Sequence, residues 1–257
     1  MYANGIGPIN RIKNRENAKK VLSCADFITL REESSFEEIK NLGISLDNTL
    51  VTADPALTVV PSNEDRAAEI LSAIGVSKDE KLIGVSVRDW KNCTENFTLK
   101  IAEALDEICG SYGLKPLFLP LKHPEDVQTA KRIMSKMKAK GYILETYLAA
   151  EDIVAVTGKC QFMIAMRLHS LIYAASMCVP TVAVAYDPKV SGFMKYLGMT
   201  DYVDAETFET RDLCDAFKKV YENEEKIRAE LAENLKSLKI KAKENAQIAC
   251  RLIREEK

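Results

Sequence analysis

Two histidines, His123 and His169, are all that the 257 residues contain, and the seven cysteines form no CxxC pair. Neither histidine stands near two cysteines, so the donor set of a zinc site is missing and no metal is expected. Charge of one sign is missing too. The 36 Lys and Arg stand against 38 Asp and Glu, a formal net charge of -2. Such a balance leaves no electrostatic footprint for nucleic acid or a polybasic membrane surface, so any anion site must be local. The opening stretch MYANGIGPINRIKNR has no basic region followed by an apolar one and does not read as a signal peptide. Internal repeats and low-complexity segments are absent. The glycines of 2-YANGIGPI-9 suit a tight turn, but without G-x-G-x-x-G opening a helix they are a weak cofactor signal.

What is present suits a sizeable core: the chain is long enough for one large domain or two small ones. Cys24, Cys93, Cys109, Cys160, Cys178, Cys214 and Cys250 are odd in number and mostly embedded in apolar or helical pattern. They read as reduced, buried thiols, which places the protein in the cytoplasm.

Short β-branched runs alternate with longer amphipathic segments, the pattern of βα units around a parallel sheet. A strand is expected over 25–31, a helix over 34–43 with Ser34 and Glu37 at capping-box spacing, and an extended piece over 49–57. From residue 64 the alternation is more regular. Strands are expected at 81–89, 115–121, 142–145, 161–167 and 181–186, with helices at 64–75, 98–112, 124–139, 149–158, 169–178 and 190–198. This is a doubly wound, Rossmann-like α/β arrangement with helices on both faces of the sheet. From Thr210 onward the chain reads as helix, with Glu and Lys three and four apart and an apolar stripe that looks thin around 225–245.

The run 161-QFMIAMRLHSLIYAASMCV-179 is long enough to raise a membrane span, yet it carries Arg167 and His169 near its middle. An Arg at a helix centre costs about 2.5–3.5 kcal/mol on insertion scales, so a buried strand passing into a buried helix is the better reading. RLH is then the turn between them. In an open parallel sheet, ligands bind beyond the carboxyl ends of the strands. Those ends deliver Arg88, Asp89 and Trp90; Lys122 and His123; Arg167 and His169; and Asp187 and Lys189. Guanidinium forks and helix N-termini both suit a carboxylate or phosphate, so the expected ligand is a small anion or the anionic end of a larger one. His169 begins a helix, where the dipole disfavours imidazolium. A bound phosphate would act the other way.

Each residue has a plainer reading. A single Arg at a strand end more often makes a salt bridge, and a His beginning a helix usually packs. The convergence of Arg88, Arg167 and His169 on one rim shifts the balance toward function. For Lys122 and His123 the plainer reading stands, because 122-KHPED-126 is a good helix start. Trp90 is a lid or a surface aromatic, and Lys189 a substrate cation or a partner for Asp187.

The stretches YANGIGPINR (2–11), ADFITLREESSFEEIKNLGI (25–44), TADPAL (52–57), GVSVRDW (84–90), FLPLKHPED (118–126), MRLHSLIYAASMCVP (166–180) and AYDPKVSGFMKYLG (185–198) together resemble the polysaccharide pyruvyl transferase family. The likeness is greatest to its CsaB-type bacterial cell-wall branch. RLHSLIYAA and YDPKVSGF are the specific parts. The resemblance implies an architecture similar to two-domain GT-B glycosyltransferases, in which 1–60 is the remnant of an N-terminal α/β domain. Residues 61–209 are then a Rossmann-like donor-binding domain and 210–257 a C-terminal helical segment. It implies transfer of a pyruvyl group from phosphoenolpyruvate to an N-acetylmannosamine-type sugar of a cell-wall polysaccharide precursor, closing a cyclic ketal. Arg88 and Arg167 would hold the phosphoenolpyruvate anion, with Lys189 as a further substrate cation and His169 as general acid. Phosphoenolpyruvate is the donor substrate, and no other cofactor is implied. A lipid-linked saccharide acceptor brings peripheral membrane contact into view. The family's further structure ahead of YANGIGPI brings in a homo-oligomer or a partner segment. Two alternatives stay open: a GT-B nucleotide-sugar glycosyltransferase, for which Glu145 could take ribose hydroxyls, and a truncated non-catalytic homologue.

Overall fold

The computed structural model describes residues 1–90 and 94–255; Cys93, one of the thiols expected to be buried, lies outside them. In chain order the elements are α1 (Ile12–Leu22), β1 (Ile28–Leu30), α2 (Glu33–Asn41), β2 (Thr49–Val51), α3 (Glu64–Ala73), β3 (Leu82–Ser86), α4 (Glu95–Tyr112), β4 (Lys115–Phe118), α5 (Glu125–Met134) and β5 (Tyr142–Ile143). They continue with α6 (Ala150–Thr157), β6 (Cys160–Ala165), α7 (Leu168–Ser176), β7 (Thr181–Ala185), α8 (Pro188–Tyr196), β8 (Tyr202–Asp204), α9 (Thr210–Glu222) and α10 (Glu224–Glu255). Two compact units result. One takes Met1–Thr58 and the end of the chain from Asn234, the other Val59–Glu233.

In the first unit β1 and β2 pair in parallel, and Asn4 bridges to Leu30 in the same sense. Leu22, Ile28, Leu30, Ile39 and Leu42 form its apolar centre, with Ile6, Ile9 and Phe36 packed against them. The expected capping box is not formed: α2 starts at Glu33, so Ser34 lies within its first turn. The neighbouring Ser35 hydroxyl instead accepts from the Ile6 N–H at 2.7 Å and ties the glycine-bearing N-terminal stretch to α2. Helix α1 has no counterpart in the sequence reading. Its only buried residue is Leu22, so it carries almost no apolar periodicity to detect.

The apolar stripe of α10 is fuller than its sequence suggests. Ile227, Leu231, Leu235, Leu238, Ala242 and Ile248 are buried along it, at spacings of three and four once Asn245 is counted between the last two, so that they share one broad helical face. Asn245 interrupts them fully buried. Its amide oxygen accepts from the Thr52 hydroxyl at 2.8 Å, and its nitrogen donates at 3.0 Å to the carbonyls of Ala53 and Ala242.

The second unit is built on a six-stranded sheet in the order β5-β4-β3-β6-β7-β8, every neighbouring pair parallel. All five residues of β3 and of β7 are buried, as expected where helices cover both faces of a parallel sheet. Gly84 lets β3 and β6 approach: a Cβ there would stand 3.0 Å from the Met163 sulfur and 3.1 Å from the Cys160 sulfur. Gly113 ends α4 in the left-handed conformation that glycine adopts without strain. The run 161–179 is β6 followed by α7; among the described residues no helix is long and apolar enough to cross a membrane. Strand β8 was not anticipated, since three residues are too few to show a period. On the face of α9, Phe217 meets the rings of Tyr112 and Phe162, each at 5.3 Å between centroids.

Not every thiol is interior. Cys24 and Cys250 are exposed and Cys178 is partly buried, contrary to the expectation of buried cysteines: Cys24 follows the end of α1, Cys250 lies off the buried stripe of α10, and Cys178 follows the end of α7. Burial pushes the Cys109, Cys160 and Cys214 thiols up to about 12, which keeps them protonated and unreactive at neutral pH.

Candidate functional site

Strand order places the site. From β3 the chain winds outward through β4 to β5, then returns to β6 on the other side of β3 and winds outward again through β7 to β8. The reversal lies between β3 and β6, the position at which ligands bind in open parallel sheets. Ser86 pairs with Ala165 across it, and the Met166 N–H donates to the Ser86 carbonyl at 2.8 Å. Arg88 and Arg167, each two residues beyond that pair, therefore emerge side by side.

Their side chains then part. Arg88 leaves β3 and reaches past the end of β6 to the residue that follows β7: its Nη1 donates to the Tyr186 hydroxyl at 2.5 Å and its guanidinium carbon lies 4.5 Å from the Tyr186 ring centroid. Arg167 leaves β6 and reaches the opposite way, past β3, to α5. Its Nε and Nη2 donate to the two oxygens of Asp126, both at 2.5 Å. Asp126 is fully buried, and its Oδ2 also accepts the backbone N–H groups of Leu121 and Lys122 at 3.2 and 2.9 Å. The two arginines thus cross over the strand reversal with their guanidiniums apart. The plainer, salt-bridge reading of Arg167 is realised in the Asp126 pair, in which its Nη1 takes no part.

Charge is distributed unevenly on this rim. Arg167 is offset by Asp126, Arg132 by Asp89 at 3.3 Å, Lys131 by Glu145 at 2.7 Å and Lys122 by Glu125 at 2.6 Å. The bond from Lys122 holds the Glu125 carboxyl below the usual carboxylate range. Among the described residues Arg88 and Lys189 have no carboxylate partner. Asp187 caps α8 through its side chain, accepting the Lys189 backbone N–H at 2.9 Å, so it serves the backbone of Lys189. His169 is the second residue of α7 and is exposed, its ring 6.2 Å from that of Tyr173. Trp90 is partly buried, with its ring against Phe97 and Tyr186 at 5.9 and 6.1 Å; it backs the aromatic that carries Arg88.

A second feature marks the same edge. Among the described residues of the second unit, the buried side-chain nitrogen and oxygen atoms without a hydrogen-bond partner are Ser86 Oγ, Trp90 Nε1, both ring nitrogens of His123 and Glu125 Oε2. All of them sit just at or beyond the carboxyl ends of β3 and β4. Buried polar groups are nearly always paired, and leaving one unpaired costs about 1–3 kcal/mol. Their concentration at one end of one sheet marks that end as the candidate site for a polar ligand. Sequence reading missed Asp126 and Tyr186. Asp126 had a signal, since a guanidinium at the end of a buried strand needs a counter-ion within reach.

A family model described as polysaccharide pyruvyl transferase matches residues 1–188. The amylovoran biosynthesis protein AmsJ of Erwinia amylovora is 23% identical over 255 residues, covering 90% of this chain and 60% of that protein. The chain therefore spans less than two thirds of this curated relative. In fold it is similar to a glycosyltransferase from Rickettsia africae, with a TM-score of 0.63, 13% identity, and 97% of this chain and 69% of that one covered. It is also similar to the UDP-GlcNAc 2-epimerase of Neisseria meningitidis, with a TM-score of 0.67, 14% identity, and 92% and 64% covered. These likenesses bear out the Rossmann-like α/β architecture, and the family match extends from the first residue to the start of α8. The chain belongs to the polysaccharide pyruvyl transferase family.

Proposed function

We propose that this chain carries the donor site of a transferase that moves a pyruvyl group from phosphoenolpyruvate to a sugar of a polysaccharide precursor, of N-acetylmannosamine type in a cell wall, and closes a cyclic ketal. The observation that carries the reading is the crossing of Arg88 and Arg167 over the strand reversal. Phosphoenolpyruvate bears a carboxylate and a phosphate, so two guanidiniums held apart can take one anionic group each and fix the vinyl carbon between them. Lys189, with no carboxylate partner, adds positive charge for the phosphate. No metal is asked of the site.

The reaction balances on these residues. His169 gives a proton to the methylene carbon, and the adjacent carbon becomes oxocarbenium-like. One sugar hydroxyl attacks that carbon. Its proton leaves with the phosphate as the carbon–oxygen bond to phosphate breaks. The second hydroxyl attacks the same carbon, and its proton returns to His169. Donors aimed at the departing phosphate lower the barrier through fixed electrostatics.

Calorimetric titration of the chain with phosphoenolpyruvate, and with UDP for comparison, tests the reading. Binding of phosphoenolpyruvate that Arg88→Ala abolishes is the expected result. Binding of UDP alone would replace it with the nucleotide-sugar glycosyltransferase reading, and binding of neither with the non-catalytic one.

A further inference from the structure

We infer that Asp126 is a positioning residue that converts Arg167 from a mobile charge into a fixed hydrogen-bond donor for the anionic donor substrate. The inference rests on the pyruvyl-transfer reading and deepens it. Asp126 belongs to the first turn of α5, buried to 0% exposure. Four donors converge on its carboxylate: Arg167 Nε and Nη2, and the N–H groups of Leu121 and Lys122. The last two come from the segment that follows β4, so the carboxylate is anchored to backbone on one side and holds the guanidinium on the other. A fork engaged through Nε and Nη2 cannot rotate about its last bonds without breaking both contacts, and a bidentate pair fixes its plane. What remains is the edge carrying Nη1.

The pair has a second effect. Asp126 offsets the charge of Arg167, whereas Arg88 is held by the face and hydroxyl of Tyr186 with no carboxylate partner among the described residues. The two arginines therefore divide the work. Arg88 supplies net charge to attract the anion, and Arg167 supplies direction where the carbon–oxygen bond to phosphate breaks. A fixed donor favours the geometry of the transition state more than that of the bound substrate.

This division predicts a split that a merely structural carboxylate would not give. Asp126→Asn removes a negative charge beside the anion and frees the fork. Phosphoenolpyruvate should bind at least as tightly as to the parent chain by calorimetry. Phosphate release, with an aryl glycoside of N-acetylmannosamine as acceptor, should fall at least tenfold, and Asp126→Glu should recover part of it. In an Arg167→Gln background, Asp126→Asn should add no further loss. A readout without substrate runs alongside: the Arg167 Nε–H resonance, assigned by its disappearance in Arg167→Lys, should be slow to exchange with water and become fast in Asp126→Asn. Binding and turnover that fall together, or a folded Asp126→Asn chain with parental turnover, would overturn the inference. So would a fast-exchanging Nε–H in the parent. If Asp126→Asn does not fold, Asp126→Glu, which keeps the charge but displaces the fork, should bind phosphoenolpyruvate as the parent does and turn over more slowly, and parental turnover in it would overturn the inference. Failure of the parent chain to bind phosphoenolpyruvate overturns the pyruvyl reading instead, and the exchange rate still decides whether Asp126 holds Arg167.

Discussion

Arg88 and Tyr186 are 98 residues apart in sequence and in contact twice, once through the hydroxyl and once through the ring face. The contact spans the end of β6, so it holds Arg88 over the reversal in the sheet. Tyr186→Phe keeps the ring and removes the acceptor. A hydrogen bond to a charged group is worth about 1.5–3 kcal/mol when buried and less when partly exposed. Phosphoenolpyruvate affinity should therefore fall about three- to tenfold in Tyr186→Phe, and further in Tyr186→Ala, where the ring is lost as well. Calorimetry on the two variants checks the order.

His169 should separate binding from chemistry. It is exposed at the start of α7, where it can meet a bound donor without supporting the core. His169→Gln is expected to bind phosphoenolpyruvate within about threefold of the parent while turnover falls by about 10²–10⁴, the usual contribution of general acid catalysis. Parental turnover would remove His169 from the proton path.

The other end of the sheet makes a pH-dependent contribution to stability. The Ser77 N–H donates to Glu80 at 2.8 Å, and the Tyr142 hydroxyl donates to the same carboxylate at 2.8 and 2.9 Å. These bonds, the backbone one foremost, hold the Glu80 carboxyl below its ordinary value of 4.5. A depressed folded-state pKa means that the contribution is complete above the ordinary value and is lost as pH falls through the depressed one. Glu80→Gln should be less stable than the parent by a constant margin from pH 6 to 8, as read by urea denaturation. The margin should shrink once the pH drops below about 4.5.

Phe217 offers a test of packing in the second unit. It is fully buried and touches Tyr112, Phe162 and Tyr221. Phe217→Ala should cost about 3–5 kcal/mol through lost transfer energy and the cavity left behind. Chemical denaturation with an unchanged dependence on denaturant concentration would assign the loss to the folded state.

Much of this arrangement was legible in the sequence, and the gaps have physical causes. Strands β3, β6 and β7 announce themselves because a strand buried on both faces must be a continuous apolar run. A cation placed directly after such a run, as Arg88 and Arg167 are, stands out for the same reason. The partners of those cations do not stand out. Asp126 lies 41 residues from Arg167 within a sequence that already makes sense as the first turn of a helix. Tyr186 looks like one more residue at the close of β7. Each acquires its role from which strands lie side by side, and that order is not written in any local period. Helix α1 was invisible because it buries only Leu22, and β8 because pairing with β7 makes it a strand more than its own three residues do.

A row of leucines and isoleucines along a helix can meet an apolar surface in several offsets that differ little in energy. Shifted by one turn, about 5.4 Å, much of the α10 stripe would still find apolar neighbours, but the Asn245 amide would leave behind the Thr52 hydroxyl and the Ala53 carbonyl. One polar residue in an otherwise greasy seam thus acts as a detent that selects a single offset, the use of a buried amide best attested in coiled coils.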